Sequence, residues 1–142
     1  MTTNMKLMIY ASIEADTLWI PLLMNLQASA GQTAITVLVY RSVADLIARH
    51  RDRGERSPVV VFASSEHEVD LLLSAGNRLE ADRLILVLPN TLPPLLAKGH
   101  LLRPRVLFSP PTAPEEIAAV LARMFGLPDA RFVSPTLLDY AL

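Results

Sequence analysis

The chain has 142 residues, of which 51% are hydrophobic, with a formal net charge of −1 and no cysteine. That length and apolar content suit one domain of ordinary size with an ample core. The balanced charge sets up no long-range field toward nucleic acid or an anionic membrane, and the lack of cysteine excludes disulfide and thiolate chemistry.

The N-terminus, Met1-Thr2-Thr3-Asn4-Met5-Lys6, is polar and leads straight into a strand. It does not have the basic-plus-apolar build of a signal sequence, and no apolar run reaches the roughly 20 residues that a membrane span needs. A reducing cytoplasm is the expected setting. Lys6–Ala11 is the first predicted strand, apolar on both faces as a central parallel strand must be. A helix is expected from Asp16 or Thr17, with Pro21 within or just past its first turn and Leu18, Trp19, Leu22, Leu23 and Leu26 on its apolar face. Ala34–Tyr40 is the second strand. Ser42-Val43-Ala44-Asp45 has the spacing of a capping box, and Val43, Leu46 and Ile47 form the buried stripe of the helix it opens. Arg49, His50, Arg51 and Arg53 close that helix with cations that complement its C-terminus, and Gly54 is a plausible stop.

Pro58–Ala63 is the third strand, β-branched and fully apolar. Ser65-Glu66-His67-Glu68 is a second capping box, with Val69, Leu72 and Leu73 facing inward and Gly76-Asn77 ending the helix. Leu84–Leu88 is the fourth strand. A short helix from about Thr91 to Lys98 should follow, with Pro93 and Pro94 in its first turn and Gly99 as its stop. Arg105–Phe108 is the fifth strand. Thr112-Ala113-Pro114-Glu115 reads as a third capping box. Ile117, Val120, Leu121 and Met124 then give an i, i+3, i+4, i+7 stripe up to Gly126. This spacing leaves Ala118, Ala119, Ala122 and Arg123 on a free face. Residues 127–142 hold Phe132, Val133, Leu137, Leu138, Tyr140 and Leu142, too apolar for a solvated linker. The expected organisation is a domain over 1–126 and a tail over 127–142 that packs on it or on a second subunit.

Five strands alternating with five helices predict an α/β fold: a doubly wound (βα)5 three-layer sandwich of flavodoxin-like, receiver-like kind, its parallel sheet in order 2-1-3-4-5. The expected core includes Leu7, Ile9, Val37, Val39, Val59, Val61, Phe62, Ile85, Val87, Val106, Leu107, Ile117, Val120 and Leu121.

Over about residues 5–125 this pattern resembles the receiver domain of two-component response regulators. The likeness is best in Val106-Leu107-Phe108-Ser109-Pro110-Pro111-Thr112-Ala113-Pro114-Glu115-Glu116-Ile117. That run looks like the receiver's last strand, its Lys-Pro dipeptide and a final helix opening on an acidic pair. Leu96-Ala97-Lys98-Gly99-His100 looks like the Ala-rich helix end before that strand. The diagnostic residues are replaced. Where receivers carry the acidic pair that holds Mg²⁺, this chain has Ala11 and Ser12. Ser64 stands at the position of the phospho-accepting Asp, or Ala63 if the register slips by one. Pro89 replaces the Thr or Ser of the fourth strand. Ser109 replaces the Lys of the fifth, followed by Pro110 as in the family. Phosphorylation of an aspartate needs a carboxylate nucleophile and a hard-cation site, and these residues supply neither. The resemblance therefore implies a degenerate receiver working without phosphoryl transfer.

Other candidate sites have plainer readings. Ser12, Ser64, Ser65 and Ser109 converge at the carboxyl edge of the sheet, either as a small anion-binding pocket or as caps and turn residues. Among Glu66, His67, Glu68 and Asp70 only Glu66 with Asp70, or His67 with Asp70, can share a helical face; first-turn acids also suit the helix dipole without any metal. Glu14 or Asp16 could stand in for a lost acidic ligand, and Asp16 also suits a helix cap. The basic run Arg49, His50, Arg51, Arg53 and Arg56 is broken by Asp52 and Glu55 and reads as a solvated helix end. Tyr10 and Tyr40 fill strand ends. No metal site, cofactor or nucleophile–base pair is expected, so the chain is not read as an enzyme.

The function expected first is a phosphorylation-independent, receiver-like regulatory or signalling module. It would act by protein contact through the fourth helix, fifth strand and fifth helix, as the resemblance implies. The alternative is a small-molecule protein of flavodoxin-like fold holding a nucleotide or flavin, although Ser12–Thr17 has no glycine and two acids where such a loop cradles phosphate. The expected partners are a signalling protein and a second copy of the chain, the homodimer forming through the fifth helix or the tail. Nucleic acid and membrane are not expected.

Overall fold

The computed structural model describes residues 4–11, 16–30, 34–53, 57–75, 83–111 and 113–126. Its elements in chain order are β1 (Asn4–Ala11), α1 (Asp16–Ala30), β2 (Ala34–Tyr40), α2 (Val43–Arg53), β3 (Val59–Phe62), α3 (Glu66–Ser74), β4 (Leu84–Val87), α4 (Pro93–Leu101), β5 (Val106–Phe108) and α5 (Pro114–Phe125). The five strands form one parallel sheet in the order β2-β1-β3-β4-β5. The chain starts in mid-sheet, steps outward to β2, then returns past β1 and winds the other way. This is the doubly wound, flavodoxin-like α/β arrangement that the alternation of elements predicts.

By its internal contacts the chain divides into two compact units. One comprises Lys6–Asp16 and Val37–Thr112 and so holds most of the sheet with α2, α3 and α4. The other holds α1 and α5. In the first unit, Met8, Val59, Val61, Leu84 and Leu86 of the sheet pack with Val43, Leu46 and Ile47 of α2, Val69 and Leu72 of α3 and Leu95 of α4. Leu7, Ile9, Val60, Phe62, Ile85 and Val87, of the opposite parity along the strands, are just as buried. Both faces of the central strands are therefore dry, which is why β3 and β4 read as unbroken apolar runs.

Several expectations need correction. Val37 and Val39 on β2 and Val106 and Leu107 on β5 are half-buried, because these are the two edge strands of the sheet. Gly99 does not stop α4. The helix runs through it and turns at Arg103, whose φ of 51° takes the left-handed position that often ends a helix. Gly99 is instead a point of close approach: a Cβ there would lie 3.1 Å from Leu107 Cδ1 and 3.3 Å from Leu88 Cδ1. The N-cap of α5 is Ala113, without a side-chain bond, since Pro114 takes the first helical position; the expected cap, Thr112, lies outside the described residues. Gly126 does end α5, at φ 70°.

The expected free face of α5 is also corrected. Ala118, Ala119 and Ala122 are buried along with Ile117 and Leu121, while Val120 and Met124 are half-buried. Only Arg123 of that set is exposed. On α1, Leu22 and Leu26 are fully buried, whereas Ile20 and Met24 are exposed. Pro21 lies inside this helix and removes the bond its N–H would make one turn back. The tail over 127–142, the Gly54 stop and the Gly76-Asn77 stop lie outside the described residues.

Candidate functional site at the carboxyl edge

Four strands end flush. Ala11 pairs with Phe62, Phe62 with Val87, and Val87 with Phe108, so β1, β3, β4 and β5 stop on one line. The pairing continues one residue further, where Ala63 N–H donates to Val87 O at 3.0 Å and Leu88 N–H to Phe108 O at 2.9 Å. Ala63 and Leu88 are thus still buried parts of the sheet. Ser64, Pro89 and Pro110 are the exposed residues beyond it, and Ser109 is half-buried. Of the positions singled out in the sequence, Ala11, Ser64, Pro89, Ser109 and Pro110 all fall along this edge. Ser12 lies outside the described residues, as do Glu14 and the side chain of Asp16.

The chemistry of the edge centres on Glu68, the buried charged residue among those described. It sits one turn into α3 because Ser65 caps that helix and Glu68, three residues on, reaches back to the cap. Its Oε2 accepts from the Ser64 hydroxyl at 2.6 Å, from the Ser65 N–H at 3.0 Å and from the Ser64 N–H. Its Oε1 accepts from the Tyr10 hydroxyl. Tyr10, adjoining Ala11 on β1, points into the apolar layer beneath α2 and α3. Burial alone would raise the Glu68 carboxyl, but the Ser64 and Tyr10 hydroxyls and the two backbone N–H donors outweigh it and hold it below the ordinary carboxylate range. Burial, the bond to Glu68 and the charge of that carboxylate push the Tyr10 phenol well above its ordinary value.

Of the four serines, Ser64 and Ser65 are placed at a helix cap, and Ser12 lies outside the described residues. Ser65 and Ser64 both serve the α3 entrance, and the carboxylate that those donors bind is the protein's own. Ser42 takes the same role at α2, its Oγ accepting from Asp45 N–H at 3.4 Å. Asn90 Oδ1 accepts from Leu92 N–H at 3.0 Å at the entrance to α4.

Glu66 and Asp70 do share a face, but they share a lysine. Lys98 Nζ of α4 lies 3.0 Å from Glu66 Oε2 and 2.8 Å from Asp70 Oδ1, and its charged form is favoured by both carboxylates. Among the described residues no three His, Asp or Glu side chains are gathered to hold a metal ion. Arg41, directly after β2, donates to Ala11 O at 3.0 Å and so reaches across the end of β1.

Sequence reasoning missed three of these placements: the Tyr10 partner, Arg41 and Lys98. Each links residues far apart in the chain, so no local spacing marks it. The one available signal was a tyrosine next to the last residue of a buried strand, since a buried phenol needs a hydrogen-bond partner.

Among the described residues no helix is long and apolar enough to cross a membrane. No protein-family model matches the chain, and no curated protein matches it. Among solved structures it is similar to a crystal structure of a Burkholderia pseudomallei protein provisionally described as pilus assembly-related. That likeness has a TM-score of 0.51 at 17% identity and covers 89% of this chain and 90% of the other. At this identity it bears on the fold alone.

Proposed function

We propose that this chain is a receiver-like regulatory module that works without phosphoryl transfer, in the cytoplasm, by contact with a protein partner. The observation that carries the reading is the occupancy of the carboxyl edge. A receiver-type reaction needs free carboxylates around a cation there. The described edge instead offers Ala11, Ser64, Pro89 and Ser109, and its one acid, Glu68, is buried with four hydrogen bonds already accepted.

Among the described residues, the surface of α4 supports this reading. On α4, Pro94, Ala97 and Leu101 follow one another at helical spacing and are all exposed, and Leu101 keeps 68% of its surface in water. Leu92, at the entrance to the same helix, keeps 62%. Exposed apolar residues in such a row suit a protein contact. Self-association is proposed through residues 127–142, since the small face of α5 is used within the chain.

The test is capture of partners from the native cell on the full chain and on Leu101→Glu. This reading expects a partner held by the wild type and lost by the variant, with the fold intact. A partner held equally by both would move the contact elsewhere. A nucleotide or flavin that co-purifies with the chain would favour small-molecule binding instead.

A further inference from the structure

The two oxygens of Glu68 face different elements. Oε2 gathers the β3–α3 turn through Ser64 and Ser65, while Oε1 meets the hydroxyl of Tyr10 on β1. A capping box alone needs only Ser65 and Glu68. The Tyr10 hydroxyl is an addition, made between two groups that keep only 5% and 9% of their surface in water. We propose that Tyr10 and Glu68 form a metal-free clasp that holds the β3–α3 turn in one conformation by tying it to the end of β1.

The physical reason is pairing inside a dry site. If the turn swung out, it would carry Glu68 with it and strand the Tyr10 hydroxyl without an acceptor. If the Tyr10 hydroxyl were absent, Oε1 would be a buried charged atom without a donor, and the carboxylate would gain by turning toward water. Each half therefore fixes the other, and the turn inherits the rigidity of the sheet. Tyr10 is a positioning residue here, acting on the Ser64 and Ser65 amides only through Glu68. The ends of β1 and β3 are also what a bound cation would bridge in a phosphorylatable receiver. In this chain that cross-link is permanent and needs no ion. This regulatory meaning rests on the receiver-like reading, whereas the clasp itself does not.

Amide hydrogen exchange of Ser64 and Ser65, followed residue by residue on the full chain, tests it. Tyr10→Phe removes one oxygen that touches neither amide. The expected result is an acceleration at both amides at least tenfold greater than any that β3 and β4 show. Magnesium added to the wild type should leave both rates as they are. Wild-type rates at both amides in Tyr10→Phe, alongside acceleration in Glu68→Gln, would show a purely local cap and overturn the clasp. An acceleration at the turn no greater than that of the strands, or a magnesium-dependent slowing at the turn, would overturn it too. If Tyr10→Phe does not fold, the wild type still decides: a slowly exchanging Tyr10 hydroxyl proton is expected, and one in fast exchange with water contradicts the clasp. A phosphodonor adduct would defeat the phosphorylation-independent reading without altering these rates, so the two failures are distinguishable.

Discussion

A tyrosine and a glutamate 58 residues apart set the chemistry of the carboxyl edge. Glu68 accepts four hydrogen bonds in a dry site, and bonds to a charged group are worth more than neutral ones. Tyr10→Phe should therefore cost about 1.5–3 kcal/mol in urea denaturation, because it leaves part of a buried charge unsolvated. Glu68→Ala should cost about 2–4 kcal/mol, since it removes the cap and strands several donors. The pH dependence follows from the directions of the shifts. The folded Glu68 carboxyl lies below its unfolded value, so its contribution is present above the ordinary carboxylate range and is lost as pH falls through the folded value. The folded Tyr10 phenol lies above its unfolded value, so its contribution is complete below about pH 10 and is lost as pH rises toward the folded value. Stability measured from pH 2 to 11 should fall at both ends, and Tyr10→Phe should lose the alkaline fall assigned to this phenol. Leu101 stands in contrast: because it is exposed, Leu101→Glu should change stability by no more than about 0.5 kcal/mol.

Elements rather than single residues decide how α3 and α4 sit together. Lys98 grips two carboxylates of α3, and this exposed contact should weaken with salt. Amide exchange along α4 is expected to speed up at high ionic strength in the wild type, and Lys98→Met should show the faster rates at low salt already. Gly99 is the tighter constraint. A Val there would press on Leu107, Leu88 and Leu86 together, so Gly99→Val should cost about 1–3 kcal/mol in urea denaturation. The same glycine shows where sequence reading reaches and where it stops. Strand order, strand positions and the Ser65–Glu68 capping box were legible because each rests on local spacing or on alternation of type. Gly99 was misread as a stop because its reason, a leucine of β5 only 3.1 Å from where a Cβ would lie, is on another element. The α5 stripe was misplaced for a related reason: apolar spacing selects the large residues, whereas this helix also buries its alanines. The row of small and proline residues at the carboxyl edge, Ala11, Ser64, Pro89 and Ser109, was legible from the strand ends. The edge's occupation by Glu68 was not, since that depends on a tyrosine brought alongside by the β1–β3 pairing.

For the whole molecule, an open parallel sheet has the fold of many unrelated proteins, so its function must be argued from the edge and the surface. The apolar tail over 127–142 is the proposed site of self-association. Light scattering should report a dimer for the full chain and a monomer for a chain ending at Gly126. A full-length monomer would remove self-association, and a dimer that survives truncation would place it elsewhere. The proposed receiver-like module carries no phosphoryl chemistry. The most direct test is the intact mass of the full chain after incubation with Mg²⁺ and acetyl phosphate, quenched at once at low temperature. An unchanged mass is expected, and the gain of one phosphoryl group on any residue would contradict the proposal.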